Sequence, residues 1–207
     1  ILICPILISI LLLIQLTNLE NNMNKQSSKN FTLSGKQVNF RSIKKSDLKT
    51  LQKWRNSTEI WPFNTQYVLL NMKNQKQWYE QNIQKISDRI MFLITNKLGE
   101  SIGICGLIHV NSKDNNASVA IIVGEKKYHN KGFGTEILEL LVSYGFNKIK
   151  LHKIDAEVFE YNENSLYLFK KMNFKQEAIA RDSLWRQGKW WNVHKFSLIQ
   201  HEFKNNS

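Results

Sequence analysis

Cysteine and arginine are the informative shortages in this 207-residue chain. The only cysteines are Cys4 and Cys105, too few for a disulfide framework, and no Cys/His cluster has metal-site spacing. A reducing, cytoplasmic setting without a metal is therefore expected. Basic residues outnumber acidic ones, 29 against 17, for a formal charge of +12 and a pI near 9.7. Only five of those 29 are arginine. A nucleic-acid reader favours the planar, bidentate guanidinium over the point charge of lysine. The lysine and asparagine surplus reads instead as a compositional bias with a solvated surface that attracts anionic small molecules, and a nucleic-acid partner is not expected. Repeats and low-complexity tracts are absent from the sequence, and the length suits one domain with a substantial core.

One long hydrophobic run is present. Ile1–Leu19 is uncharged, rich in Ile and Leu, and about as long as a short membrane span. It lacks a basic leading region and a small-residue cleavage site, and Met23 follows it. Translation artefact, membrane anchor and signal peptide all stay open, and a membrane partner is expected only if 1–19 is genuine. The expected organisation is a leader or artefact over 1–22, a polar disordered linker over 23–35 and a folded domain over 36–203.

Within that domain, Val38–Ile43 reads as a first strand. Ser46 is a candidate cap for a helix over Asp47–Trp54, with Leu48, Leu51 and Trp54 on one face, and Asn74 for a second helix reaching about Ser87. Met91–Thr95 and Ser101–Val110 form a hairpin pattern around Leu98-Gly99-Glu100, followed by a strand over Ala117–Val123. In Lys153–Phe159, Ile154, Ala156 and Val158 alternate with Asp155 and Glu157. The tail gives strands over Lys175–Ala180 and Trp190–Leu198, joined near Gly188. The fold class expected is α+β: a mixed sheet flanked by helices.

The most informative segment is His129-Asn130-Lys131-Gly132-Phe133-Gly134-Thr135. It stands between a β-rich run and an amphipathic helical pattern. Two closely spaced glycines allow the backbone to approach a ligand, and the first N–H groups of the helix face it with the positive end of the dipole. A pyrophosphate is the expected guest. The spacing is neither a P-loop nor a dinucleotide fingerprint. With the Asn162-Glu163-Asn164-Ser165 turn and the Leu168-Phe169-Lys170-Lys171-Met172-Asn173-Phe174 run that follow, the order resembles the GNAT superfamily of acyl-CoA-dependent N-acyltransferases, closest to the branch with the ribosomal-protein and polyamine acetyltransferases. That family's loop reads Gln/Arg-x-x-Gly-x-Gly; here its first position is His129.

The resemblance implies a mostly antiparallel sheet splayed between its fourth and fifth strands, acetyl-CoA as cosubstrate, and no metal. It implies a backbone N–H at Val123 that polarises the thioester carbonyl, the largest catalytic contribution in such sites. Cofactor contacts are expected from Val123, His129, Asn130, Lys131, Gly132, Phe133, Gly134 and Thr135, and from Asn162, Asn164, Ser165 and Phe169. Thr135 and Glu136 read as stabilisers of the first helical turn. The family's acid, a tyrosine, aligns with Phe169, which has no proton to give; Tyr167 is a poor substitute and reads as core. Ser118 stands where relatives carry glutamate. Asp155 and Glu157 are the tentative bases, through a water, although a solvated or ion-paired role fits them better; His152 and His194 read as structural. Trp54, Arg55, Asn56 and Trp61 are the acceptor-side candidates, with Arg55 suited to a phosphate or carboxylate; Trp185, Trp190 and Trp191 are further wall candidates.

A base-poor site favours an amine that is already neutral. A pKa near 7.7–8.0 leaves roughly a tenth of the amine free at pH 7, whereas one near 10.4 leaves under a thousandth. The expected acceptor is therefore a small low-pKa amine such as an amino sugar. Protein N-termini, ribosomal proteins or polyamines are the alternative acceptors, and a weakly catalytic CoA- or nucleic-acid-binding module is the alternative of another class. Monomer and homodimer stay open.

Overall fold

The computed structural model describes residues 32–85 and 88–203. The leader expected over 1–22 and most of the linker lie outside them. Within the stretch expected as linker, Thr32–Ser34 is a strand paired with Asn39–Arg41.

Eight strands make one sheet: β1 (Thr32–Ser34), β2 (Val38–Ser42), β3 (Ile90–Asn96), β4 (Ser101–Asn111), β5 (Asn116–Val123), β6 (Lys153–Phe159), β7 (Lys175–Arg186) and β8 (Lys189–Ile199). Their spatial order is β1-β2-β3-β4-β5-β6-β8-β7. Every pair is antiparallel except β5 with β6. That parallel ladder holds only over Asn116–Ser118 and Lys153–Asp155; beyond it the strands part and leave a wedge. These are the fourth and fifth strands of the sequence reading, displaced by one because β1 precedes them.

Helices α1 (Leu48–Arg55) and α2 (Met72–Tyr79) cover one face of the sheet, with Leu48, Leu51, Trp54 and Tyr79 buried against Leu93 and Ile104. Helices α3 (Phe133–Tyr144) and α4 (Glu163–Lys171) cover the other. In α3, Ile137, Leu138, Leu141, Val142 and Tyr144 form the buried stripe, the spacing of one helical face. They pack on Phe92, Cys105, Leu107, Ile154 and Ala156 in the larger core. The alternation read in β6 is what divides its residues between the two faces.

Two capping expectations are corrected. Asp47, not Ser46, organises the entry to α1: its carboxylate accepts from the Lys44 N–H at 2.7 Å and from both terminal nitrogens of Arg41 at 2.8 and 2.9 Å. In α2 the cap is Asn71, which accepts from the Asn74 N–H, while Asn74 reaches back to the Asn71 N–H. A reciprocal bond three residues apart fixes the cap of α2, whereas Asp47 stands at the start of α1 with its carboxylate directed back to Lys44 and Arg41 and makes no capping bond to the helix. Beyond Tyr79 the helix widens into a π turn over Glu80–Gln84, so it ends before Ser87, which lies outside the described residues.

Candidate functional site

The wedge opens at the C-terminal ends of β5 and β6. Val123 is the last residue of β5 and faces Gly103 of β4. The next pair, Ile102 and Gly124, is hydrogen-bonded, the Gly124 N–H donating to the Ile102 carbonyl at 2.8 Å. Antiparallel ladders alternate, so the N–H and C=O of Val123 point away from β4, toward the wedge. The carbonyl accepts from His129 Nε2 at 2.8 Å. His129 is thus turned onto the strand end. It fixes the start of the loop to the residue whose N–H faces the wedge.

Between His129 and α3 the chain makes two left-handed turns, at Asn130 (φ 57°) and Gly132 (φ 85°). Alternation of this kind curls successive N–H groups around a concavity suited to an anion. The Gly132 carbonyl accepts from the Glu136 N–H at 3.2 Å, which leaves Gly132, Phe133, Gly134 and Thr135 as the open N-terminal donors of α3. The two glycines serve different ends. Gly132 supplies a conformation that L-residues avoid, whereas a Cβ on Gly134 would make only ordinary contact, 3.6 Å from Leu168 Cδ2. Packing therefore does not require glycine at 134. Lys131 is exposed beside this loop.

Anchors from distant parts of the chain hold the loop in place. The Tyr128 hydroxyl donates to Glu100 at 2.6 Å and accepts from Asn96, and Lys127 pairs with the same carboxylate. The Lys127 and Tyr128 bonds hold the Glu100 carboxyl below its usual pKa. The Tyr128 ring meets Phe133 edge-on at 4.8 Å. Glu136 accepts from the Gln37 and Val38 N–H groups at 2.8 and 3.3 Å. It therefore ties α3 to β2 and does more than stabilise its own turn. Nothing local in the sequence signals these contacts.

Several other candidates occupy different places from those expected. Phe169 is buried in the larger core, edge-on to Phe174 at 5.1 Å and stacked with Phe196 at 6.1 Å; an apolar ring suits that packing. Tyr167 is 69% exposed, so the core role expected of it is corrected. Asn162 caps α4 by accepting from the Ser165 N–H at 3.2 Å, which engages both residues within the helix turn; Asn164 is exposed. Asp155 pairs with Lys153 at 3.3 Å and Glu157 with Lys195 at 3.2 Å. Both carboxylates are solvent-accessible and carry a lysine partner, which favours the ion-paired role over that of a base. His194 packs parallel to Phe196 at 6.4 Å.

On the acceptor side, Trp54 is buried, donates from Nε1 to Glu125 at 2.8 Å and lies so close to Gly124 that a Cβ there would overlap its ring. Its expected stacking on substrate is corrected: it packs beneath the end of β5 and positions Val123. Asn56 is also engaged, donating to the Leu70 carbonyl at 2.8 Å and accepting from the Leu70 N–H at 2.9 Å. This bidentate bond straps the segment between α1 and α2 against α1. Arg55 donates to Gln66 at 2.9 Å, is only partly accessible, and has its pKa lowered by burial. Trp61 stacks on Tyr67 at 4.1 Å. Opposite stand Tyr161, whose hydroxyl donates to the Pro62 carbonyl at 2.6 Å, and Trp191, edge-on to Tyr161 at 4.9 Å. Trp185 and Trp190 pair with each other at the hairpin, each more than half exposed, so of the three late tryptophans only Trp191 joins this wall.

A wedge between parallel strands, a strand-end N–H facing it and a left-handed loop feeding a helix together could hold an extended ligand with a diphosphate. The Acetyltransferase (GNAT) domain model matches residues 37–175, more than half of the chain. The chain belongs to the GNAT acetyltransferase family. Like its relatives, this GNAT enzyme is an N-acetyltransferase. It is 25% identical over 179 residues to the uncharacterized N-acetyltransferase p20 of Bacillus licheniformis, covering 83% of this chain and 98% of that one. It is 22% identical over 170 residues to spermidine N(1)-acetyltransferase of Escherichia coli K12, covering 82% and 90%. In fold it is similar to spermidine N-acetyltransferase from Vibrio cholerae in complex with CoA and spermine, with a TM-score of 0.74, 20% identity, and coverage of 80% and 97%. The GNAT sheet with its parting strands is therefore the architecture expected. Among the described residues no helix is long and apolar enough to cross a membrane, and no group of three or more His, Cys, Asp or Glu converges as metal ligands.

Proposed function

We propose that this GNAT enzyme transfers an acetyl group from acetyl-CoA to a small primary amine of low pKa, such as an amino sugar. The observation that carries this reading is the contrast at the wedge. Main-chain donors line it, while the nearby carboxylates of Asp155, Glu157 and Glu125 are each occupied by a partner. The residues fit acetyl-CoA: Gly132–Thr135 offer N–H groups to a diphosphate, and Gly134 leaves room for it. When bound, acetyl-CoA supplies an activated acyl group. The Val123 N–H is placed to stabilise negative charge on the acyl oxygen. The walls hold the amine in line with it and convert a bimolecular encounter into a local one. No base role falls to Asp155 or Glu157, so the amine enters neutral, and with phenylalanine at position 169 the thiolate leaves without a tyrosine proton.

The pH profile of kcat/KM tests this. The rise should follow the pKa of each amine used, moving when the amine changes, because the amine's own deprotonation controls the rate. A limb fixed at one pH for amines of different pKa identifies a base on the enzyme and removes the preference for weakly basic acceptors. A second reading, a polyamine acceptor, is favoured by the similarity to spermidine acetyltransferases over nine-tenths of their length. Comparison of spermidine with glucosamine by thiol release separates the two. The ribosomal-protein branch and protein N-termini are tested with peptides in the same assay.

A further inference from the structure

We infer that the acceptor wall contains an oxyanion pocket, built by Arg186, Arg55 and Trp61 around Tyr67, that holds a carboxylate or phosphate carried by the same molecule as the reacting amine. This rests on the reading that the enzyme acetylates a small amine, and adds what else that amine bears.

The Arg186 guanidinium lies over the Tyr67 ring, 4.4 Å from its centroid, and Trp61 stacks on that ring at 4.1 Å. Arg186 spends two donors on carbonyls, Nη1 to Trp185 at 2.7 Å and Nη2 to Thr65 at 3.3 Å, while its Nε is buried and makes no hydrogen bond among the described residues. The indole Nε1 of Trp61 is buried without a partner as well. Arg55 reaches the same loop from α1, donating to Gln66, the residue before Tyr67. Neither guanidinium forms an ion pair among the described residues. Nearby Glu160 is committed to the Asn192 side chain at 3.0 Å and backbone N–H at 3.2 Å, and Glu125 to Trp54.

Thus one cation and an indole lie against the Tyr67 ring, a second cation holds the residue beside it, two buried donors lack acceptors, and neither guanidinium has an ion-pair partner among the described residues. Burying donors without acceptors is unfavourable, and burying an unpaired charge more so. An oxyanion satisfies both at once, and its planar or tetrahedral oxygens suit the guanidinium fork. The position matches an acceptor. Tyr161, which bonds to Pro62 of this loop, follows β6 directly, and β6 is the far wall of the wedge. A polycation has no complementary charge here.

Matched pairs of amines test the pocket. Glucosamine is compared with its 6-phosphate, and glycylglycine with its C-terminal amide, at high salt so that the general positive charge is screened. Thiol release is measured beside calorimetric titration of each compound into the CoA-bound enzyme. The anionic member of one pair should be preferred about 10- to 100-fold, and the pair that responds identifies phosphate or carboxylate. Arg186→Gln should remove most of that ratio. Trp61→Phe, which keeps the stack on Tyr67 and deletes only the N–H, should reduce it about threefold to tenfold. Ratios near one in both pairs, or a ratio that survives Arg186→Gln, overturn the pocket. Acetyl-CoA binding without turnover of any amine defeats the proposed reaction, and the titrations then still decide the pocket.

Discussion

The two walls of the wedge are built by opposite means. On the proposed cofactor side the groups offered are main-chain N–H donors from one continuous stretch, Val123 through Thr135. On the proposed acceptor side they are side chains drawn from three places: the end of α1, the loop over 61–67 and the β7–β8 hairpin. Arg186 and Thr65, which bond to each other, are 121 residues apart. The first wall depends on backbone conformation and tolerates change in side chains that face away. The second depends on pairwise contacts, so its chemistry is set by long-range packing and changes readily between relatives that keep the fold.

Substitutions at the two glycines sharpen that contrast most. Gly132→Val forces a β-branched residue to φ 85° and should destabilise the chain by about 1–3 kcal/mol and lower coenzyme affinity at least 100-fold by calorimetry, roughly the loss of two main-chain donors to an anion. Gly134→Ala should leave the melting free energy within about 0.5 kcal/mol yet weaken coenzyme binding about tenfold. Equal affinity of Gly134→Ala and the native enzyme would show that nothing approaches that backbone closely.

Asp47→Asn probes the base of the acceptor wall. Burial alone would raise the Asp47 carboxyl, but the Arg41 hydrogen bonds, the Lys44 N–H and the Arg41 charge outweigh it, and its pKa is lowered. A lowered folded pKa contributes stability that is complete above the unfolded value, about 3.9, and is lost as pH falls through the folded value. The substitution should cost about 2–3 kcal/mol at neutral pH, with Arg41 left partly buried. In denaturant melts the difference from the native chain should shrink below pH 4; a constant difference there would separate the cost from ionisation.

Phe169→Tyr places a hydroxyl in the larger core. It should lower stability by about 1–2 kcal/mol without raising turnover; an increase in kcat would restore the family's acid to this position. Asn56→Ala is the mildest case. Loss of the Leu70 clamp should destabilise by about 1 kcal/mol and raise the amine KM a few-fold, with coenzyme affinity unchanged. A shift in coenzyme affinity instead would couple the two walls.

Much of the fold was legible because it rests on local patterns. The alternation in Lys153–Phe159, the stripe of α3 and the glycine turn each fall where the sequence places them. The cap of α2 moved by three residues because reciprocal bonds join Asn71 and Asn74, and Asp47 rather than Ser46 holds the start of α1 through Arg41 and Lys44. Strand β1 was missed because three residues carry too little periodicity to register. The left-handed turn at Gly132 was legible since only local backbone conformation decides it. The partners of His129, Trp54, Asn56 and Phe169 were not legible, because residue type does not reveal which group a side chain reaches across the sheet.

By itself, then, the sequence determined the main-chain half of the enzyme: strand order, glycine loop, helix N-terminus and family. Tertiary structure alone decided that Glu136 and His129 brace that loop, that Trp54 supports the strand end, and that Arg55 and Arg186 reach the neighbouring residues Gln66 and Tyr67 with no ion pair to either arginine among the described residues. The physical reason is range. Backbone conformation is a property of a few consecutive residues, whereas charge balance in a pocket is a property of groups that only folding brings together.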